Sequence, residues 1–225
     1  MMIEEKFFNR SLVDFSKIEP YGFTKTDTGF ILEKFFMDHT FKAVITINKA
    51  GSVSGQVYDT DTGDIYLPLR VESVAGGFAE KIRTAYISVL EDVREKCFIP
   101  TLFVSNQANR ITRKIFETYG DNPDFPWGEK DGGVFRNPDT CKWYGLIMNT
   151  NKSKLDRKQS GAVDVMNLKI SAEKIPELIK RDGVYPAYHM NKKYWISVVL
   201  NDTLPDETVM ALIEESHSFS CPKKH

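Results

Sequence analysis

The sequence predicts an α+β protein built from two domains, and three observations carry that expectation. The chain has 225 residues, enough for two small domains, and its 41% hydrophobic to 27% charged balance is that of an ordinary globular protein. Strand candidates come in consecutive runs bracketed by amphipathic helices, an order that fits helices packed on an antiparallel sheet better than a β-α-β alternation. That order occurs twice, in residues 1–98 and again in residues 106–225, although the two halves share no readable residue identity.

In the first half, residues 4–15 read as a short helix, with Phe7, Phe8, Leu12 and Phe15 near helical spacing. Tyr21–Phe23 marks a turn. "FILEKFFM" is a strand stopped by "DHT". "FKAVITIN" alternates, placing Phe41, Ala43, Ile45 and Ile47 on one face, and after the "KAGS" turn "VSGQVYD" places Val53 and Val57 inward. "TDTGD" turns the chain again. "GFAEKIRTAYISVLEDVREKCF" is a long amphipathic helix whose stripe is Phe78, Ile82, Tyr86, Val89, Leu90 and Val93.

"IPTLFVSN", Ile99 to Asn106, reads as a linker. The helix "NQANRITRKIFETYG" follows, with Asn106 as N-cap, Ile111, Ile115, Phe116 and Tyr119 as its apolar side and Gly120 as its stop. "DNPDFPWGEKDGG" is a loop by its Pro, Gly and Asp content. "VFRNPDTCKWYGLIMNT" is a hairpin turning at "NPDT". "KSKLDRKQSG" is a basic loop. "AVDVMNLKI" is a strand whose apolar phase shifts after Val165, which points to a bulge. "SAEKIPELIKRDG" reads as a helix from a Ser171 cap to Gly183, and Lys174 stands where a capping box needs an acid. "YWISVVL" is the last strand, and "LPDETVMALIEESHSF" is the closing helix, with Val209, Leu212, Ile213, Ser216 and Phe219 on one side.

Composition excludes several functions. Net charge is −1, so no whole-chain field argues for nucleic acid or membrane. No apolar run approaches the length needed to span a bilayer. The opening "MMIEEKFFNRSL" is acidic and lacks an apolar signal core, so a cytoplasmic location is expected. Cys97, Cys141 and Cys221 form no Cys-x-x-Cys pair and no metal spacing, and are expected to be reduced thiols. The histidines, His39, His189, His217 and His225, are scattered, and no nucleophile elbow or phosphate-binding glycine loop occurs. "DTDTGD" lacks the distal Glu of a calcium loop and reads as a hairpin turn. No catalytic residue, metal or cofactor is expected.

From about Asn106 to Phe219 the chain resembles the MmcQ/YjbR family. The resemblance rests on "QANRI", on "KWYGLIMN" and above all on "YPAYHMNKKYWISVVLNDTLPDE", whose H-x-N-K-x-x-W pattern spans His189 to Trp195. The first half resembles an N-terminal extension of larger members. The resemblance implies a frataxin/CyaY-like fold for the C-terminal domain, with two terminal helices on one face of an antiparallel sheet, and a label of DNA binding. A frataxin-like fold also raises iron, but "NQANRITRKIFETYG" carries Glu117 as its only acid and the first helix offers Glu4, Glu5 and Asp14, too few carboxylates for an iron site.

Candidate binding residues follow from these motifs. If residues 189–195 are extended, His189, Asn191, Lys193 and Trp195 share one face and Lys192 takes the other, a set suited to an anion or a planar ligand. The same residues would serve equally as a cap, with Trp195 packed under the terminal helices. Arg110, Arg113 and Lys114 share a helix face, and Lys152, Lys154, Arg157 and Lys158 share a loop. Lys and Arg number twelve against fifteen acids in the first 103 residues, a balance of −3, and eighteen against sixteen, +2, in the remainder. That is weakly basic for a DNA-binding domain. Two readings lead: a non-enzymatic cytoplasmic protein that binds DNA weakly, or a small-molecule binder or enzyme in which Trp127 and Trp195 stack on a ligand while Arg136, Lys142 or Lys192 meets an anion. A third is an adaptor that uses the aromatic "FILEKFFM" strand.

Overall fold

A computed structural model describes residues 3–70, 77–128 and 132–222. The chain separates into two compact units, Met1–Thr101 and Leu102–His225.

The first unit opens with α1 (Ile3–Phe7), β1 (Ser11–Val13) and α2 (Phe15–Tyr21). The single helix expected over residues 4–15 is therefore a short helix followed by a strand, and a second helix starts only at Phe15. Arg10 adopts a left-handed φ of 58° that no helix interior tolerates, and Asp14 starts a new helix by accepting the Ser16 amide on its side chain. β2 (Thr24–Lys25), β3 (Gly29–Phe36), β4 (Phe41–Asn48) and β5 (Val53–Asp59) form an antiparallel meander in that spatial order. Phe41, Ala43, Ile45 and Ile47 are buried, as alternation requires, and Val53 and Val57 join them. The "TDTGD" turn is held by Asp59, whose carboxylate accepts the Asp61 amide at 2.9 Å.

The long helix is α3 (Gly77–Cys97). It buries Ile82, Tyr86, Val89, Leu90 and Val93, but Phe78 at its start is 58% exposed. β6 (Phe98–Pro100) follows directly and pairs antiparallel with β1, so the first residues of the expected linker are a strand. Glu4 of α1 is fully buried. It pairs with Arg70 at 2.8 Å and accepts the Tyr86 hydroxyl, and Arg70 also donates to the Gly55 carbonyl. A buried carboxylate is costly unless paired and hydrogen-bonded, and Glu4 has both compensations.

The second unit begins with α4 (Asn106–Tyr119). Its N-cap is Ser105, not Asn106: the Ser105 hydroxyl accepts the Ala108 amide at 3.0 Å, and Gly120 closes the helix in the left-handed region. Ile111 and Ile115 are fully buried, whereas Phe116 is 51% exposed. β7 (Gly133–Arg136) and β8 (Trp143–Asn151) form the expected hairpin, turned at Asn137–Thr140. Residues 129–131 of the preceding expected loop lie outside the described residues.

β9 (Ala162–Lys169) pairs with β8 in unbroken register. The phase shift after Val165 is therefore not a bulge; β9 is central and buried on both faces, so its apolar residues need not alternate. The sheet's register shift lies instead between Phe135 and Arg136. α5 is only Ile175–Leu178, because Pro176 at the start of the segment can extend a helix forward but not backward to Ser171. β10 (Val184–Pro186), β11 (Trp195–Val199) and α6 (Asp206–Ser218) complete the unit.

Its five strands are antiparallel in the order β10-β11-β9-β8-β7. α4 and α6 cover one face through a core that includes Ile111, Ile115, Met166, Leu168, Ile196, Val198, Val209 and Ile213. The opposite face carries a smaller cluster, Val163, Val165 and Val199, packed by Leu155 and Tyr185. Phe219, expected in the α6 stripe, is 42% exposed just beyond the helix. Among the described residues, no helix is long and apolar enough to cross a membrane.

Candidate functional site

The segment between β10 and β11 is a hairpin loop, not an extended run, so His189, Asn191, Lys193 and Trp195 do not share a strand face. Asn191 makes the turn. Its side chain accepts the Lys193 amide at 3.0 Å, and its carbonyl accepts the amides of Tyr194 and Trp195 at 3.0 Å. His189 takes a left-handed φ of 60°, and its ring lies 3.9 Å from that of Tyr188. The loop is pinned from below by a buried polar network. The Tyr188 amide donates to Ser197 Oγ at 2.8 Å, Ser197 donates to Asn167 Oδ1 at 2.5 Å, and Asn167 Nδ2 donates to the Tyr188 carbonyl at 3.1 Å. Asn167 and Ser197 are fully buried, so each lost bond would strand a polar atom.

The loop thereby sits over the sheet face opposite α4 and α6. Ile196 and Val198 enter the helix-side core, so Trp195 alternates onto the other face with Ser197 and Val199 and is half-buried. It does not pack under the terminal helices. His189, Lys192 and Lys193 are exposed. In this loop Asn191 is a fold-making residue, while His189 and Lys192 are presented to solvent.

The cations of α4 divide in a way their spacing does not reveal. Arg110 is held by Asp206 at 3.0 Å and by Asp202, and Lys114 lies 3.4 Å from Asp206 and 3.3 Å from Glu207. Gln107 donates to the Leu204 carbonyl at 2.7 Å and accepts the Asp202 amide at 2.7 Å. Asn109 is tied to Phe103 and Ser105. The "QANRI" motif is thus a clamp that docks the start of α6 on α4. The Arg110 hydrogen bonds, with help from Gln107, hold the Asp206 carboxyl down to about 2. Arg113 alone of the three is exposed and forms no ion pair with a described carboxylate.

Trp127 is 54% exposed and meets Trp143 edge to face at 5.7 Å. The Arg136 guanidinium lies 5.1 Å over the Trp143 ring and 2.7 Å from Asp124, and Lys142 is exposed beside them. Trp143 and Arg136 are on β8 and β7, and β9 lies between them and Trp195 on β11. A pocket of about 270 Å3 on the sheet face opposite the helices, lined by Lys152, Gln159, Tyr185 and Asn201 among others, includes neither Trp127 nor Trp195.

One pairing had no sequence signal beyond an i, i+4 spacing past a helix end. His217 and Cys221 line an open groove of about 720 Å3 between α4 and α6, with Cys221 Sγ 3.7 Å from His217 Nδ1. Among the described residues, no group of three or more His, Cys, Asp or Glu side chains could hold a metal.

The architecture defines an α+β protein whose second unit carries a two-helix face and a loop-covered sheet face. The chain belongs to the YjbR family, whose model matches residues 117–219. It is 39% identical over 107 residues to Uncharacterized protein YyaQ of Bacillus subtilis (strain 168), a match covering 47% of this chain and 91% of that protein. Among solved structures, a protein from Pseudomonas syringae is 37% identical, with 52% of this chain and 100% of that one covered and a TM-score of 0.49. Deinococcus radiodurans protein DR2400 is 26% identical, with coverage of 44% and 67% and a TM-score of 0.33.

Proposed function

We propose that the second unit is a frataxin/CyaY-like, non-catalytic binding module of a cytoplasmic protein, and that its sheet face opposite α4 and α6 engages duplex DNA weakly. The observation that carries the reading is the distribution of unpaired cations. Two loops fold over that face: residues 152–161 through Leu155 and Tyr185, and residues 187–194 through Tyr188. Lys152, Lys154, Arg157, Lys158, Lys192 and Lys193 lie in them, and none forms an ion pair with a described carboxylate. On the helix face, by contrast, Arg110 and Lys114 are neutralised by acids of α6 and the loop before it. These two loops carry six Lys or Arg against a single acid, Asp156, so a net +2 domain can present a local positive surface there.

The reading is tested by fluorescence anisotropy of a labelled duplex of about 20–30 base pairs. Binding at low salt should be in the non-specific range of about 10⁻⁴–10⁻⁶ M and should weaken linearly in log–log against salt. The Lys192→Ala/Lys193→Ala double variant should lower the magnitude of that slope by about 2. No anisotropy change at low salt, even in excess protein, would sink it. A second reading keeps a small planar or anionic ligand on Trp127, favoured by the exposed ring beside Trp143, Arg136 and Lys142. A thermal-shift response to nucleotides that Trp127→Ala removes would select that reading over DNA.

A further inference from the structure

We infer that Cys221 and His217 form a reactive-thiol site that exchanges with a small neutral or cationic disulfide held in the groove between α4 and α6. His217 is in the last turn of α6. Its ring stacks on Tyr119 at 4.1 Å with an interplanar angle of 10° and meets Tyr144 edge-on at 4.8 Å. That sandwich fixes the ring and aims Nδ1 at Cys221 Sγ, 3.7 Å away. The thiol lies at 3.5 Å from the His217 carbonyl, and Asn137 Nδ2 approaches Sγ at 3.9 Å as a donor.

The cysteine is not carried on a loose tail. The Thr140 hydroxyl of the β7–β8 turn donates to the Ser220 carbonyl at 2.6 Å, and Ser220 is buried. Two separate elements therefore hold the thiol at the end of a cavity of about 720 Å3. The cavity supplies the selectivity. Glu117, Glu207 and Glu214 line it with Lys114, whose charge Asp206 and Glu207 already meet. A dianionic disulfide would be repelled, whereas a neutral or cationic one fits beside Met210 and Ala211.

The step balances without an external oxidant. The Sγ proton passes to Nδ1, and the thiolate attacks one sulfur of the bound disulfide. The S–S bond breaks as the Sγ–S bond forms, and the leaving thiolate takes the proton back from the imidazolium. One disulfide is replaced by another, and one small thiol is released.

The test uses the full chain carrying Cys141→Ser, which leaves the buried Cys97 and Cys221. The neutral chromogenic disulfide 4,4′-dithiodipyridine should release one thiol equivalent about tenfold faster than the same chain releases thiol when unfolded in urea. His217→Phe keeps a ring on Tyr119 and removes the base; it should slow this phase about tenfold with the thiol count unchanged. A merely structural histidine would, on replacement, leave Cys221 equally or more reactive. Tyr119→Leu, which frees the imidazole from its stack, should give an intermediate rate. Dianionic 5,5′-dithiobis(2-nitrobenzoate) should react more slowly than the neutral probe, relative to their rates on the unfolded chain. Native Cys221 no faster than unfolded, an unchanged rate in His217→Phe, or a preference for the dianion would overturn the assignment.

Discussion

Arg110 illustrates how one residue can look like a ligand contact and act as a fastener. Its spacing with Arg113 and Lys114 is that of a basic helix face, yet Asp202 and Asp206 occupy its guanidinium. The consequence is a pH dependence. Asp206 is held down to about 2, chiefly by Arg110, below its value in the unfolded chain. A depressed carboxyl contributes stability that is full above about pH 4 and is lost as pH falls toward about 2. Urea unfolding of the second unit, followed by tryptophan fluorescence, should therefore weaken across that window. Arg110→Gln should show a smaller loss over the same window; an identical pH profile would remove Arg110 as the cause. Asn191 teaches the same lesson, since it makes a turn by hydrogen bonds that its place in H-x-N-K-x-x-W does not disclose.

At the scale of elements, legibility followed burial on one face. β4 and β5 alternate because one side is core and the other is not, so their inward residues could be read directly. β9 could not be read that way, since both its faces are covered. Short elements were lost too: β1 and β6 have three residues each and exist by pairing with one another across the unit. Gly55 in β5 carries a further constraint. A Cβ there would lie 2.0 Å from the Tyr86 hydroxyl and 3.0 Å from Glu4, and the Gly55 carbonyl already accepts from Arg70. Gly55→Ala should destabilise the first unit by about 1–3 kcal/mol, because the buried Glu4 network must shift to make room. Far-ultraviolet circular dichroism during denaturation measures it; a change within about 0.5 kcal/mol would mean that the network relaxes freely.

The whole molecule divides near Thr101. Each unit has its own core, one around Ile45, Tyr86 and Leu90 and one around Ile111, Met166 and Ile213. A chain with two separate cores should yield parts that fold alone. Residues 102–225 expressed by themselves should unfold cooperatively, with a midpoint matching the fluorescence transition of the full chain. All three tryptophans, Trp127, Trp143 and Trp195, lie in that unit. A fragment without a cooperative transition would make the division one of shape only.

The sequence by itself determined the α+β class, the meander and the hairpin, the three long helices and the family, because periodicity and local turn chemistry are written in neighbouring residues. Only the tertiary structure decided which polar residues are fasteners and which are presented. Arg110 meets its acids 92 and 96 positions away, and Asn167 closes a network with Ser197 and Tyr188 from a different strand. Those partners are set by sheet order and helix docking, and no local pattern encodes them. The same holds for Cys221 and His217: their spacing is ordinary, and the groove that gives them a use exists only when α6 lies on α4.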